Sequence, residues 1–144
     1  MKGTRTERTL AIIKPDGVAR RLTGDIINRF EAEGLRVVAL RMLKLNKRDA
    51  EEFYAVHRKR PFFSSLTTYM ASGVIVAMVL QGKDAIKQLR HLMGATDPKK
   101  AAPGTIRSEF GTSIEQNTVH GSDSPESAAI EISFFFNFLE IMQK

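Results

Sequence analysis

The segment Asn117-Thr-Val-His-Gly-Ser-Asp-Ser-Pro-Glu-Ser127 gathers more side chains able to do chemistry than any other stretch of the chain. His120 ends a short strand-like run, and Gly121 beside it removes steric cover. Ser124-Pro125-Glu126 reads as a helix start, with a capping hydroxyl, a first-turn proline and an acid near the positive helix end. On that helix Ser124, Ser127 and Glu131 recur near the helical period, so they share a face that can look back at His120. A carboxylate bonded to one ring nitrogen fixes the tautomer and leaves the other nitrogen's lone pair free to attack. The spacing suits Glu131 as the orienter of a nucleophilic His120. It also suits a strand-end histidine satisfied by the next turn, with Glu131 in water. His57 and His91 fall in helical patterns and read as surface or packing residues.

A second group is cationic. Lys14 opens Lys-Pro-Asp-Gly17, Arg90 falls late in a helical pattern, Thr96 begins a long irregular stretch and Arg107 lies within it. Converged, they would form an anion site, with Arg offering planar forks, Lys a point charge and Thr a neutral donor. The alternative is that they face water, as most of the 22 basic residues must. A third group is Arg60-Pro-Phe-Phe63 with Leu66. Adjacent residues on a helix point about 100° apart, so Phe62 and Phe63 cannot face the core equally. One exposed ring could stack on a planar ligand such as a nucleobase, or both could fill core and subunit contacts.

These residues need elements to hold them. Leu10–Ile13 is an apolar strand running into what reads as a tight turn at Lys14-Pro-Asp-Gly17. Gly24–Glu33 has helical spacing and ends at Gly34, and Leu35–Leu45 reads as a strand half exposed in its second part. Asn46 caps a helix through His57, and Pro61 sits in the first turn of the next, which Gly73 stops. Val74–Leu80 is a buried strand, Asp84–Met93 a helix ended by Gly94, and Asn117–His120 a short strand. Between the last two lie about two dozen residues with little periodicity, a length that is usually functional or disordered. The order β α β α α β α, loop, β α predicts an α/β or α+β sandwich with helices on one face of the sheet.

Composition narrows the classes. The 144 residues match one domain spanning 1–144, with 42% hydrophobic and 26% charged residues. No cysteine occurs, which excludes disulfides, Cys-ligated zinc, iron–sulfur clusters and a thiol nucleophile. The opening residues hold no apolar core of a signal peptide, and the longest apolar run, Val74–Leu80, is too short to span a bilayer. A soluble cytoplasmic protein is expected. The net charge of +6 suits nucleic acid, acidic membranes or small phosphates without choosing among them. Walker A, G-x-G-x-x-G, H-E-x-x-H and G-x-S-x-G motifs are absent, so phosphate chemistry here is not P-loop chemistry.

Taken together, Lys14-Pro-Asp-Gly-Val18, Arg60-Pro-Phe-Phe63, Ala95-Thr-Asp-Pro98, Pro103-Gly-Thr-Ile-Arg107 and Asn117-Thr-Val-His-Gly-Ser-Asp-Ser124 resemble nucleoside diphosphate kinase. The resemblance runs in order from about Arg8 to Phe136. It implies a ferredoxin-like α+β sandwich with a four-stranded antiparallel sheet covered by helices. It implies γ-phosphoryl transfer from nucleoside triphosphates, ATP and GTP among them, to diphosphates by ping-pong through phosphohistidine. His120 would be phosphorylated on its δ nitrogen, with Glu131 and Ser122 holding the other. Lys14, Tyr54, Arg90, Thr96, Arg107 and Asn117 would contact phosphates and sugar. Phe62 would stack on the base, with Leu66 and Ile114 beside it. Mg²⁺ would ride on the nucleotide phosphates without a direct protein ligand.

The resemblance also implies a homo-oligomer, a tetramer first and a hexamer as the alternative. The apolar end Phe134-Phe-Phe-Asn-Phe-Leu-Glu-Ile-Met142 departs from the family pattern and suggests burial in a subunit contact. Two rival classes remain to be weighed, a basic nucleic-acid-binding module and a histidine phosphocarrier. Phe62 with Arg90 and Arg107 argues against the phosphocarrier, and nucleic-acid binding would be secondary at most.

Overall fold

The computed structural model describes residues 6–143, so most of the opening read above for a leader lies outside the described residues. Four strands, β1 (Thr6–Ile13), β2 (Arg36–Lys44), β3 (Val74–Lys83) and β4 (Val119–Gly121), form one sheet in the order β2-β3-β1-β4. Every pair is antiparallel. The two central strands are apolar on both faces, and the period of two divides them. Leu10, Ile12, Ile75, Ala77 and Val79 serve one core, and Ala11, Ile13, Val76, Met78 and Leu80 the other.

Helices cover both faces, not one as the sequence order suggested. A strand without a polar face must be buried on each side. Helices α3 (Lys47–Phe53), α4 (Phe63–Met70) and α7 (Pro125–Phe135) close the first face through Ala50, Met70 and Phe135. Helices α2 (Thr23–Ala32), α5 (Ala85–Met93) and α6 (Ile106–Phe110) close the second through Ile26, Phe30, Leu89, Met93 and Ile106. In β2 the register shifts between Val37 and Ala39, which inserts Val38 as a bulge. Beyond it Leu40 and Met42 are exposed on this edge strand, as the half-exposed pattern anticipated.

Short elements escaped the sequence reading because they carry no periodic signal. Lys14-Pro-Asp-Gly17 is not a tight turn but the start of a five-residue helix, α1 (Pro15–Ala19), with Pro15 where a missing N–H costs nothing. Pro61 lies in the turn before α4 and not in its first turn. Helix α3 stops at Phe53, and His57 ends a separate one-turn 3₁₀ helix, Ala55–His57. The irregular stretch after Gly94 holds a 3₁₀ turn at Pro98–Lys100 and helix α6, capped by the Asp97 and Thr105 side chains.

Gly94, at φ +88, ends α5, and a Cβ there would lie 2.7 Å from Thr105 Cβ. Strain and overlap act together, so Gly94→Ala is expected to lower stability by about 2–4 kcal/mol. Gly24 lies in the first turn of α2, where an added Cβ would meet nothing within 4 Å. There Gly24→Ala should raise stability by about 0.5–1 kcal/mol. Denaturant unfolding of the two variants checks both signs.

Candidate active site

His120 pairs with Ile12 across β1 and β4, which puts its ring on the first face of the sheet. Phe53 and Tyr54 meet it edge-on, with centroids at 5.3 and 5.9 Å. Its Nε2 lies 2.8 Å from Glu131 Oε1, and Ser122 Oγ donates to that same oxygen at 2.8 Å. Ser122 is itself fixed by the sheet, its N–H donating to Leu10 O at 3.1 Å. Glu131 is aimed by the start of α7. Ser124 Oγ accepts from the Ser127 N–H at 3.0 Å, and Ser127 Oγ accepts from the Ser124 N–H at 3.1 Å. This reciprocal capping fixes the helix start, and Glu131 follows two turns after Ser124. With the Nε2 proton directed at Glu131, the other nitrogen, Nδ1, has no hydrogen-bond partner among the described residues.

The cations are held by neutral oxygens. Lys14 is buried, and its Nζ donates to Asn117 Oδ1 at 2.8 Å and to Glu115 O at 3.3 Å. Asn117 Nδ2 donates to Thr96 O at 3.0 Å, so Lys14, Asn117 and Thr96 form one chain of contacts. Arg107 is buried too, donating through Nη1 to Gly94 O at 3.1 Å and through Nη2 to Val119 O at 2.9 Å. Its Nε and the Tyr54 hydroxyl are buried without partners. Burial and the nearby Arg107 lower the Lys14 pKa to about 8. Burial and then Arg90 lower that of Arg107 to about 10. Burial, with Glu131 next, pushes the Tyr54 phenol up, so it stays a neutral donor. Arg90 is exposed, yet close enough for its charge to act on Arg107.

The aromatic pair divides as its geometry required. Phe63 packs into the core, while Phe62 is 44% exposed and touches His57 at a centroid distance of 5.5 Å. Leu66 is partly buried against the first core, and Ile114 is left 60% exposed. Two residues were missed as site components. Phe53 borders His120, and His57 lies between Tyr54 and Phe62. The run Phe53-Tyr54-x-x-His57, one helical turn of rings, was the available signal. The Gly94 and Val119 carbonyls carried none, since any residue has a carbonyl. A concavity of about 460 Å³ nearby shares Arg90 but not His120. Three carboxylates, Glu7, Asp84 and Asp123, line it and oppose an anion there.

Comparison with known proteins agrees over nearly the whole chain. The family described as nucleoside diphosphate kinase matches residues 7–141. The nucleoside diphosphate kinase of Desulfosudis oleivorans is 60% identical over 136 residues, covering 94% of this chain and 98% of that protein. That of Wolinella succinogenes is 61% identical over 135 residues, again covering 94% and 98%. Among solved structures, the Aquifex aeolicus nucleoside diphosphate kinase superposes with a TM-score of 0.94 at 49% identity, covering 96% of this chain and all of that one. A halophilic nucleoside diphosphate kinase from Halobacterium salinarum in complex with CDP gives 0.93 at 43% identity, covering 97% and 93%.

Lys14 supplies a pH test of the anion site. An anion beside it favours the ammonium, so the bound-state pKa must rise above the free value of about 8. The charge is then fully present below pH 8 and is lost as pH climbs. Nucleotide affinity should fall by up to about tenfold per pH unit between the free and bound pKa values. Calorimetry of ADP binding near pH 9, in two buffers of different ionisation enthalpy, should show net proton uptake, and Lys14→Met should abolish it. Binding without proton uptake would contradict this assignment.

Proposed function

Because the chain belongs to the nucleoside diphosphate kinase family, we propose that His120 is the residue through which it passes the phosphoryl group. The activity is transfer of the γ-phosphoryl of a nucleoside triphosphate to a nucleoside diphosphate, in two half-reactions through a phosphohistidine. The observation that carries the assignment is the His120–Glu131 contact at 2.8 Å. It holds the Nε2 proton and leaves the Nδ1 lone pair free beside buried donors.

In the first half-reaction Nδ1 attacks the γ-phosphorus in line with the bond to the bridging oxygen. The N–P bond forms as that P–O bond breaks, and the electron pair leaves on the diphosphate. In the second, a terminal oxygen of another diphosphate attacks the phosphohistidine, and the ring recovers its lone pair. The ring gains positive charge while it carries phosphate, and Glu131 with Ser122 stabilises it. Such transfer asks the protein mainly for positioning and for charge around the equatorial oxygens. Lys14, Arg90 and Arg107 meet that charge, and Tyr54, Thr96 and Asn117 donate to phosphates and the sugar hydroxyl. The unpartnered Arg107 Nε and Tyr54 hydroxyl are donors of the kind phosphate oxygens satisfy.

Mg²⁺ enters on the nucleotide phosphates. What supports this is that Lys14, Arg107 and Tyr54 bring donors and not carboxylates to the cleft. The ion neutralises phosphate charge when bound. The rest of the reading is a single domain over 1–144 that works in the cytoplasm as a homotetramer, with a hexamer as the alternative. Among the described residues no helix is long and apolar enough to cross a membrane. Exposed Leu40, Met42, Phe138 and Leu139 are apolar surface suited to self-association. Light scattering decides the assembly.

His120→Gln is expected to abolish acid-labile label from γ-labelled ATP, while His57→Gln and His91→Gln still take it up. Glu131→Gln should slow transfer by about 10²–10⁴ without abolishing it, the range for lost acid–base or tautomer support. Label on the His120 variant would move the nucleophile elsewhere. The base is met by Phe62, Leu66 and Ile114, which stack and touch but offer no hydrogen bond. The kcat/KM values for ADP, GDP, CDP and UDP should therefore agree within about a thousandfold, or about 4 kcal/mol. The CDP bound by the Halobacterium relative supports a place for pyrimidines.

A further inference from the structure

Thr118 lies between Asn117 and the His120 strand, and it has a backbone that β-branched residues avoid. Its φ is +77, and among the described residues only Arg21 and Asp84 share a positive φ without being glycine. The Val119 N–H donates back to Asn117 O at 2.9 Å, so the chain closes a γ-turn centred on Thr118. Such strain persists only where the surroundings over-determine it.

Those surroundings are specific. Thr118 is fully buried, and its hydroxyl donates to Asp16 Oδ2 at 3.0 Å. The other carboxylate oxygen, Oδ1, accepts from the Tyr69 hydroxyl, and that hydroxyl accepts from the Asp16 N–H at 2.8 Å. Thr118 O accepts from the Lys14 N–H at 2.8 Å. Gly17 is needed for this approach, because a Cβ there would come 2.8 Å from Ile13 Cγ2 and 3.0 Å from Thr118 Cγ2. Three elements thus converge on one turn. They are α1 through Asp16, α4 through Tyr69 and the entry to β4 through Thr118.

We propose that Asp16, Tyr69 and Thr118 form a clamp that holds the strained turn and thereby positions Asn117, the Val119 carbonyl under Arg107, and His120 for transfer. None of the three touches the reacting atoms, so they are positioning residues. The clamped residue lies two positions before the nucleophile and directly after the amide residue that holds Lys14. If the turn relaxes, both ends of the site move relative to each other. The placement tolerance of phosphoryl transfer is small, and an error of about 1 Å can cost about 10²-fold.

This rests on the assignment of His120 as the phosphorylated residue, and the experiment separates the two. The measurement is the single-turnover rate of His120 labelling from γ-labelled ATP, with melting temperature alongside. Thr118→Val keeps shape and loses the donor, and it should slow labelling roughly 10- to 100-fold. Thr118→Ser restores the hydroxyl and should return the rate to within about threefold, with both variants melting within about 4 °C of the parent. Tyr69→Phe, on another element, should also slow labelling by about threefold or more. Parental rates in Thr118→Val, or equal slowing in Thr118→Ser, would overturn the clamp. If Thr118→Val does not fold, Tyr69→Phe decides, and a parental rate there overturns the clamp as well. A parent that takes no label on His120 removes the functional assignment and the clamp together. A labelled parent with indifferent variants removes only the clamp.

Discussion

Two cations are taken out of water in this fold with no carboxylate to pair with them. Lys14 and Arg107 are both buried, and neither takes part in a salt bridge among the described residues. Desolvation of a charge is costly unless dipoles or a counter-ion replace the lost water. Here the replacement is neutral oxygen: Asn117 Oδ1 and Glu115 O for Lys14, Gly94 O and Val119 O for Arg107. Neutral oxygens hold the cations in place without cancelling them. The positive potential therefore remains for a ligand that brings its own negative charge, and burial, the first cause of the lowered Lys14 and Arg107 pKa values, sets the demand for such charge.

The architecture around the site follows from that demand. Gly94 must end α5 at a positive φ so that its carbonyl reaches Arg107. Strand β4 must run beside β1 so that the Val119 carbonyl lies under the same guanidinium. The strained turn at Thr118 lets the chain serve Lys14 through Asn117 and then enter β4 in register with Ile12. Stability is given up at these points, which is the usual pattern where local rules break around a functional site.

The carboxylate of Glu131 serves the histidine and pairs with neither cation. Glu131 reaches Nε2 and Ser122, and nothing brings it to Lys14 or Arg107. Placed between the cations it would neutralise the anion site. Where it stands, it holds the His120 ring and the Ser122 hydroxyl through one oxygen. The two ring nitrogens are thus divided, with Nε2 against Glu131 and Nδ1 without a hydrogen-bond partner among the described residues. Phe53 and Tyr54 press on the ring edge-on and limit its rotation, so the division is held by packing as well as by hydrogen bonds.

Some of this was legible in the chain. Local rules determined the Ser124 cap, the helix that follows it and the shared face of Ser127 and Glu131, because capping and the 3.6 period act over neighbouring residues. The same holds for the apolar strands and for the split between Phe62 and Phe63. Spacing by itself left His120 open between nucleophile and inert strand end. The resemblance to a family favours the nucleophile, and no rule of periodicity could have done so. Tertiary structure alone decided that helices cover both faces of the sheet, that Lys-Pro-Asp-Gly starts a helix, and that His57 joins Phe62. It alone brought Lys14 to Asn117, 103 positions apart in the chain, and Arg107 to backbone carbonyls that no side chain announces. These contacts depend on which strand lies beside which, and strand pairing is a property of the whole chain that no local window contains.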